Sequence, residues 1–557
     1  MFRPLSLLSR IPIRRSFLVG IAVLLLLLSY ADPFVAEWPA ALKAYYYQPH
    51  YGFLLFSFSF QILCASTILS ILWHQNRLIR WVAAVVFIGL TTLHSAYAKV
   101  MLRPMSLFDL DLAQEEAAHA GDAFETYQAT FLPGLWIGVV LLVVIALLMR
   151  LPHPRLRHSF WVLLPLTLGI YLIAGGRRNE MPIVYPTVFS APVLLVKKML
   201  AHRYYGPRTQ VSITSRRDRS PKYIIFLIDE SIRGDALSIN SSTLETTPFL
   251  KTVPLANFGF ASSSTNCSAG SNLILRNGLT PTDLPDTTER SLHASSIYQF
   301  ARTAGYRSVY LEGQRKGGNL QDFMTRFDLE HIDKRYFMYR EQECLKSGDC
   351  FIVDSISDVV ASGTPAFVLA VKMGAHVPYE KQYPQSQRIF TPTLERGEAL
   401  HDRPRALNSY YNAVRWTVDE FFRQLLPVLA GQDYIIIYTS DHGQNIVEPN
   451  HPATHCADES ALMAEGIVPL LILASSPDLL ARAQAAAVAK KDRATHFEIF
   501  PTLLGLMGFD PQVVSGRWGP SLFDPKTIQQ QFFYGRVFGN GVWGWKKVES
   551  TSSPMSP

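Results

Sequence analysis

Four stretches of the chain place carboxylates, imidazoles or hydroxyls where an apolar run stops. YIIFLIDES, residues 223–231, ends in Asp229 and Glu230. STNCSAGSN, residues 264–272, offers several hydroxyls and the Cys267 thiol just ahead of the helical stretch NLILRNGL. KMGAHVPYEKQYP, residues 372–384, carries His376. YTSDHGQN, residues 438–445, carries Asp441 and His442, and NHPATHC follows with His451 and His455. Two acids at the tip of a buried strand are costly unless positive charge sits against them. Carboxylates and imidazoles gathered on one sheet edge are the oxygen and nitrogen donors of a zinc-type ion. A metal centre is therefore expected. A hydroxyl beside a cation and a helix N-terminus loses its proton readily and becomes a nucleophile. The backbone amides exposed there also suit phosphate oxygens.

Such residues meet only if the elements carrying them end on the same edge. From Lys222 onward, continuous apolar runs (YIIFLID, YRSVYLEG, PAFVLAVKM, DYIIIYTSD, VPLLILA) alternate with amphipathic helical patterns. That alternation predicts an α/β domain whose mostly parallel sheet is covered by helices on both faces. In such sheets the chemistry collects at the carboxyl ends of the strands.

The first part of the chain is of another kind. Hydrophobic residues make up 48% of the sequence and charged residues only 17%, a balance that suggests membrane segments. Five apolar runs of spanning length begin at Phe17, Gly52, Trp81, Phe131 and Phe160. Arg3, Arg10, Arg14, Arg15, Arg77, Arg80, Arg150, Arg155 and Arg157 mark the inner loops. The opposite loops carry Asp109, Asp111, Glu115, Glu116, Asp122 and Glu125. The expectation is an α-helical membrane domain of five transmembrane helices over residues 1–175, with an outer loop at 99–130. An interfacial helix and a linker follow over 176–221, then the α/β domain over 222–557, outside the cytoplasmic membrane. The net charge of +7 flanks apolar runs and forms no stripe, so nucleic acid is not expected as a partner.

Five cysteines fit an oxidising compartment. Cys64 lies within an apolar run. Cys344 and Cys350 bracket ECLKSGDC, which could close a small disulfide loop. Cys267 and Cys456 could pair with each other or stay free.

The order and spacing of IDES, CSAGS, MGAH and SDHG resemble the membrane-bound, sulfatase-like branch of the alkaline-phosphatase superfamily. The similarity is greatest to the phosphoethanolamine transferases that modify lipopolysaccharide. The resemblance spans nearly the whole chain and implies five transmembrane helices with a periplasmic catalytic domain in the bacterial inner membrane. It implies Zn²⁺ held by Glu230, Asp441 and His442, with Ser268 as nucleophile and fourth ligand. Cys267 is the alternative nucleophile, although CSAGS lacks the arginine of sulfatases whose cysteine becomes formylglycine. His376 and His455 are implied to bind phosphate or a second metal, with His451 an alternative to His455. Lys316 is implied to face substrate, and Cys344 with Cys350 to form the family's small disulfide loop. Glu115 and Glu116 could meet a lipid ammonium group.

The implied reaction moves phosphoethanolamine from phosphatidylethanolamine, through a covalent phospho-enzyme, to lipid A, a core sugar or another envelope glycan. The alternatives are another sulfatase-like membrane enzyme (a glycerol-phosphate transferase, sulfatase or phosphodiesterase) and a non-catalytic lipid-binding regulator.

Overall fold

A computed structural model describes residues 13–548 except 37, 48–50, 116–119, 153–158, 176–184, 201–204, 217–219, 241–243, 317–319, 339–348, 452 and 539–542. Contacts divide the chain into two compact units. One comprises Met1–Gln114 and Tyr127–His202, the other Glu115–Thr126 and Arg203–Pro557. The short segment 115–126, which includes the first residues of the helix Ala120–Gly134, thus belongs with the α/β unit.

Among the described residues, three helices are long and apolar enough to cross a membrane: Leu54–Leu72, Arg77–Met101 and Ala120–Leu148. Two shorter apolar helices, Arg15–Ala31 and Ser159–Ile170, coincide with the first and fifth apolar runs. Within the first unit a buried polar chain ties separate helices. The Met105 backbone N–H donates to His94 Nε2 (2.8 Å), so the Nδ1 side must carry the proton. His94 Nδ1 then donates to Thr187 Oγ1 (2.6 Å), whose hydroxyl donates to Asp32 Oδ1 (2.9 Å). Every member is satisfied, which is the condition for burying such a chain.

The second unit is built on seven strands: β1 Tyr223–Asp229, β2 Ala256–Ser262, β3 Arg307–Lys316, β4 Lys334–Met338, β5 Ala366–Val371, β6 Tyr434–Ser440 and β7 Ile467–Ala474. Their order is β2-β7-β6-β1-β5-β3-β4. β6, β1, β5, β3 and β4 are parallel, and β7 runs antiparallel to both its neighbours. A separate hairpin joins β8 Gln531–Gly535 and β9 Trp543–Lys547.

Strand alternation explains why both faces are covered. Tyr223, Ile225 and Leu227 point into one core with Ile352, Tyr410 and Phe421. Ile224, Phe226 and Ile228 point into the other with Phe300, Ala483 and Leu503. β1, central and buried along its whole length, therefore delivers its last residues to the middle of the sheet's carboxyl edge.

Candidate active site

The two acids at the tip of β1 have different fates. Asp229, the last residue of the strand, turns to the protein's own cation: Lys372 Nζ lies 2.6 Å from its Oδ2, both side chains fully buried. Lys372 follows β5 and also donates to the Thr417 carbonyl (2.6 Å), over the ring of Phe421. The Tyr438 hydroxyl donates to the same Asp229 oxygen (2.9 Å). Burial pushes the Asp229 carboxyl up to about 6 despite Lys372, with Asp349 adding to the rise. The expectation that a bound ion offsets both acids is thus corrected for Asp229, whose charge is met by lysine.

Glu230 turns the other way, toward Asp441 and His442 beyond β6. One ligand atom from each of the three lies within 4.8 Å of the other two, and all three residues are buried. Backbone geometry fixes the triad. Asp441 Oδ1 accepts the N–H groups of Ser231 (3.1 Å) and His442 (2.7 Å), so Oδ2 is aimed inward. His442 Nδ1–H donates to the Gly443 carbonyl (2.6 Å), which leaves the Nε2 lone pair facing the carboxylates. Gly443 is required by close approach, since a Cβ there would lie 2.1 Å from the Ala464 carbonyl. Gly374, at φ +55°, lets the segment after β5 wrap the tip of β1, where a Cβ would strike Asp229 Oδ1.

Electrostatics show what the triad lacks. Burial and the Glu230 charge push the Asp441 carboxyl well above the usual range, and its Oδ2 is buried without a hydrogen-bond partner. Burial opposes ionisation of Glu230, but the hydrogen bond and charge of His442, with smaller effects from His376 and His455, hold it well below the usual range. Burial also opposes a charged His442, yet Asp441 and Glu230 drive it up to about 10. These carboxylates draw a proton onto imidazole because no stronger cation is at hand. An orphaned inward oxygen beside a second carboxylate and an imidazole nitrogen fits a divalent zinc-type ion.

Ser268 stands at this cluster. It opens the helix Ser268–Asn277, whose first turn follows the extended Cys267. Its hydroxyl donates to Glu230 Oε2 (3.3 Å) and lies 3.1 Å from His442 Nε2. Ser271 points away, lying among Ser264 and Thr265. Cys267 is not an available nucleophile, because its sulfur is bonded to that of Cys456. The same bond excludes conversion of this cysteine to formylglycine.

His455 stacks on His442 with ring centroids 4.4 Å apart, and its Nδ1 lies 3.1 Å from Gln444 Oε1. Burial and the neighbouring His442 hold His455 well below its ordinary value, so the ring is neutral. His376 is half-buried, hydrogen-bonded through Nδ1 to the Val377 carbonyl, and close enough for its charge to act on Glu230. His451 instead sits in a small bridge with Glu448. Lys316 is the last residue of β3, on the same sheet edge, but its side chain lies outside the described residues. So do Cys344, Glu116 and the side chain of Glu115. Cys350 is disulfide-bonded, and Cys64 is free and buried.

Two participants escaped sequence reading. Gln314 donates from Nε2 to Glu230 Oε2 (3.0 Å) and to the Lys372 carbonyl (2.9 Å), bridging the two halves of the β1 tip. Its place near the carboxyl end of β3 was the available signal. Gln444, two residues after His442, bridges His455 and the Tyr379 hydroxyl.

Comparison with known proteins agrees with this architecture. The chain is 25% identical over 325 residues to the Kdo(2)-lipid A phosphoethanolamine 7''-transferase of Salmonella typhimurium, covering 55% of this chain and 54% of that protein. It is 24% identical over 318 residues to the phosphatidylethanolamine transferase Mcr-2 of Escherichia coli, covering 52% and 57%. The chain thus spans about half the length of these relatives. The solved integral membrane lipooligosaccharide phosphoethanolamine transferase A of Neisseria meningitidis superposes with a TM-score of 0.62 at 18% identity. That match covers 88% of this chain and 96% of the other, and it shows a shared fold. The Sulfatase family model matches residues 222–509, just over half of the sequence, and the chain belongs to that family.

Proposed function

We propose that the protein is a zinc-dependent phosphoethanolamine transferase of the bacterial inner membrane. In this reading residues 1–175 cross the membrane five times, 176–221 form an interfacial helix and linker, and 222–557 work in the periplasm. The observation that carries the proposal is a hydroxyl, Ser268 Oγ, held 3.1 Å from His442 Nε2 and 3.3 Å from Glu230 Oε2. The curated relatives supply the substrate class: their names give lipid A and phosphatidylethanolamine.

Glu230, Asp441, His442 and the Ser268 oxygen would hold Zn²⁺, which supplies the positive charge that lets a hydroxyl ionise near neutral pH. Ser268 Oγ attacks the phosphorus of phosphatidylethanolamine. A new O–P bond forms, the bond to diacylglycerol breaks, and the serine proton is recovered on the diacylglycerol hydroxyl. The product is phosphoethanolamine esterified to Ser268. A sugar or sugar-phosphate hydroxyl of lipopolysaccharide, or of another envelope glycan, then displaces Ser268 and returns its proton. His376 and His455 flank the site and steady phosphoryl oxygens. The helix N-terminus at Ser268 adds backbone amides for the same purpose. Membrane anchoring keeps the domain at the surface where both lipids reside, which raises their effective concentration.

The test uses the full-length protein in a bilayer with head-group-labelled phosphatidylethanolamine and lipopolysaccharide. Diacylglycerol release and a phosphoethanolamine mass gain on the glycolipid are expected, with both lost in Ser268→Ala by on the order of 10⁴-fold or more. Intact donor with the wild-type, metal-loaded protein would sink the proposal.

A further inference from the structure

The Cys267–Cys456 bond joins two segments that are 189 residues apart in sequence. Cys267 immediately precedes Ser268, and Cys456 immediately follows His455. We infer that this disulfide is a positioning clamp that fixes the Ser268 hydroxyl against His455, so that transfer requires the oxidised protein. The inference rests on the roles proposed above for Ser268 and His455, and Cys267 and Cys456 act through them.

Apart from this bond, both site residues are held by non-covalent contacts alone. Ser268 is the first residue of its helix, and Cys267, which precedes it, makes no side-chain cap hydrogen bond. His455 lies outside any helix or strand, in the stretch between β6 and β7. It is located by its stack on His442 and by Gln444. The disulfide brings the two flanking Cα atoms to 4.9 Å. Around it, Cys456 N–H donates to the Asn266 carbonyl (3.0 Å), and Asn266 Nδ2 donates to the Ala457 carbonyl (2.6 Å) and Glu465 Oε2 (2.7 Å). Those hydrogen bonds align the segments. The covalent bond alone holds the two Cα atoms within the roughly 4.4–6.8 Å that a disulfide spans, so the segments cannot part further. In-line transfer is sensitive at the ångström scale, since a misplacement of about 1 Å can cost about 10²-fold in rate.

Both sulfurs are buried, at 7% and 2% exposure for their residues. Reduction by a dithiol transfers two electrons and two protons to the bond, yielding two thiols and a cyclic disulfide of the reductant. Cys456 has φ +58°, and alanine bears the same backbone penalty there as cysteine, so a double alanine variant tests the bond and not the turn.

The experiment compares the wild-type full chain with Cys267→Ala/Cys456→Ala in bilayers. Zinc content, steady-state diacylglycerol release and amide exchange are measured over residues 264–272 and 453–457. Expected are equal zinc content, faster exchange in both segments, and a fall in kcat of about 10²-fold with KM for the donor unchanged. A variant with wild-type kcat, or with unchanged exchange in both segments, overturns the clamp. If the double variant does not fold, wild-type protein is titrated with dithiothreitol while alkylation maps which cysteines open. Loss of rate must then track Cys267 and Cys456, not Cys350, and reverse on reoxidation. Failure to track overturns the inference. If wild-type protein cleaves no lipid at all, the proposed reaction falls, and the exchange comparison still decides the clamp.

Discussion

Asp229 and Glu230 are neighbours in the chain, yet they occupy two niches that solve opposite problems. Behind the strand tip, Asp229 meets Lys372, Tyr438 and the Glu230 backbone N–H, and the same ammonium lies 3.5 Å from the neighbouring Asp349. In front, Glu230 shares its niche with a second carboxylate, Asp441, whose Oδ2 has no hydrogen-bond partner. A buried charge paired with its own counter-ion is a structural element. A buried pair of acids answered only by an imidazole is a site kept open for something brought from outside, at a cost to stability. The lesson is that burial and acidity alone do not mark a metal ligand. What distinguishes Glu230 from Asp229 is that its niche holds no lysine or arginine, only an imidazole that the carboxylates themselves charge.

That contrast can be broken from either side. The largest effect is expected for Glu230→Gln: zinc content lost by elemental analysis, and transfer lowered by about 10³-fold. The metal-free variant should melt close to metal-free wild type, because the lost pairing with His442 is offset by relief of the repulsion with Asp441. A clear drop in its melting temperature would put Glu230 in the structural niche with Asp229. Next is Lys372→Met, which leaves Asp229 buried without its cation. Denaturant unfolding of the variant should show a loss of about 3–5 kcal/mol. Unchanged stability there would mean that the pair is not what holds the back of the strand tip. The smallest effect sharpens the boundary: Gln314→Leu removes the donor to Glu230 Oε2. Zinc affinity, read by competition with a chelating dye, should fall by about 10-fold with little change in fold stability.

Legibility followed burial. β1, β3, β5, β6 and β7 are continuous apolar runs, and each is a strand where the sequence predicts one. β2 was not predicted, because ANFGFAS interrupts its apolar pattern with Asn257 and Gly259, where the ladder to β7 shifts register. The hairpin β8–β9 was missed for a similar reason, its short strands mixing aromatic residues with glycine and lysine. At the site, Asp441, His442 and Glu230 were readable because strand ends and polar tips coincide, whereas Ser268 was singled out by the family resemblance. Lys372 was not, since a lysine after AFVLAV reads as the point where a strand emerges into solvent. Only the fold shows that Asp229 and the helical stretch around Thr417 enclose it. The partner of Cys267 was undetermined for a related reason: sequence distance carries no information about a contact made across 189 residues.

The assignment of residues 115–126 to the α/β unit has a practical consequence. The polypeptide passes between the two units three times, after Gln114, after Thr126 and after His202. Lys381 Nζ sits 2.8 Å from Asp122 and 2.6 Å from Glu125, and the Leu400 N–H donates to the Thr126 carbonyl. A soluble fragment started at Arg203 would therefore be missing an inserted strip of its own wall. It would carry an uncompensated ammonium and an unanswered backbone amide where that strip belongs. Anyone trimming this protein for crystallisation or screening would do better to graft residues 115–126 back than to rely on a single cut.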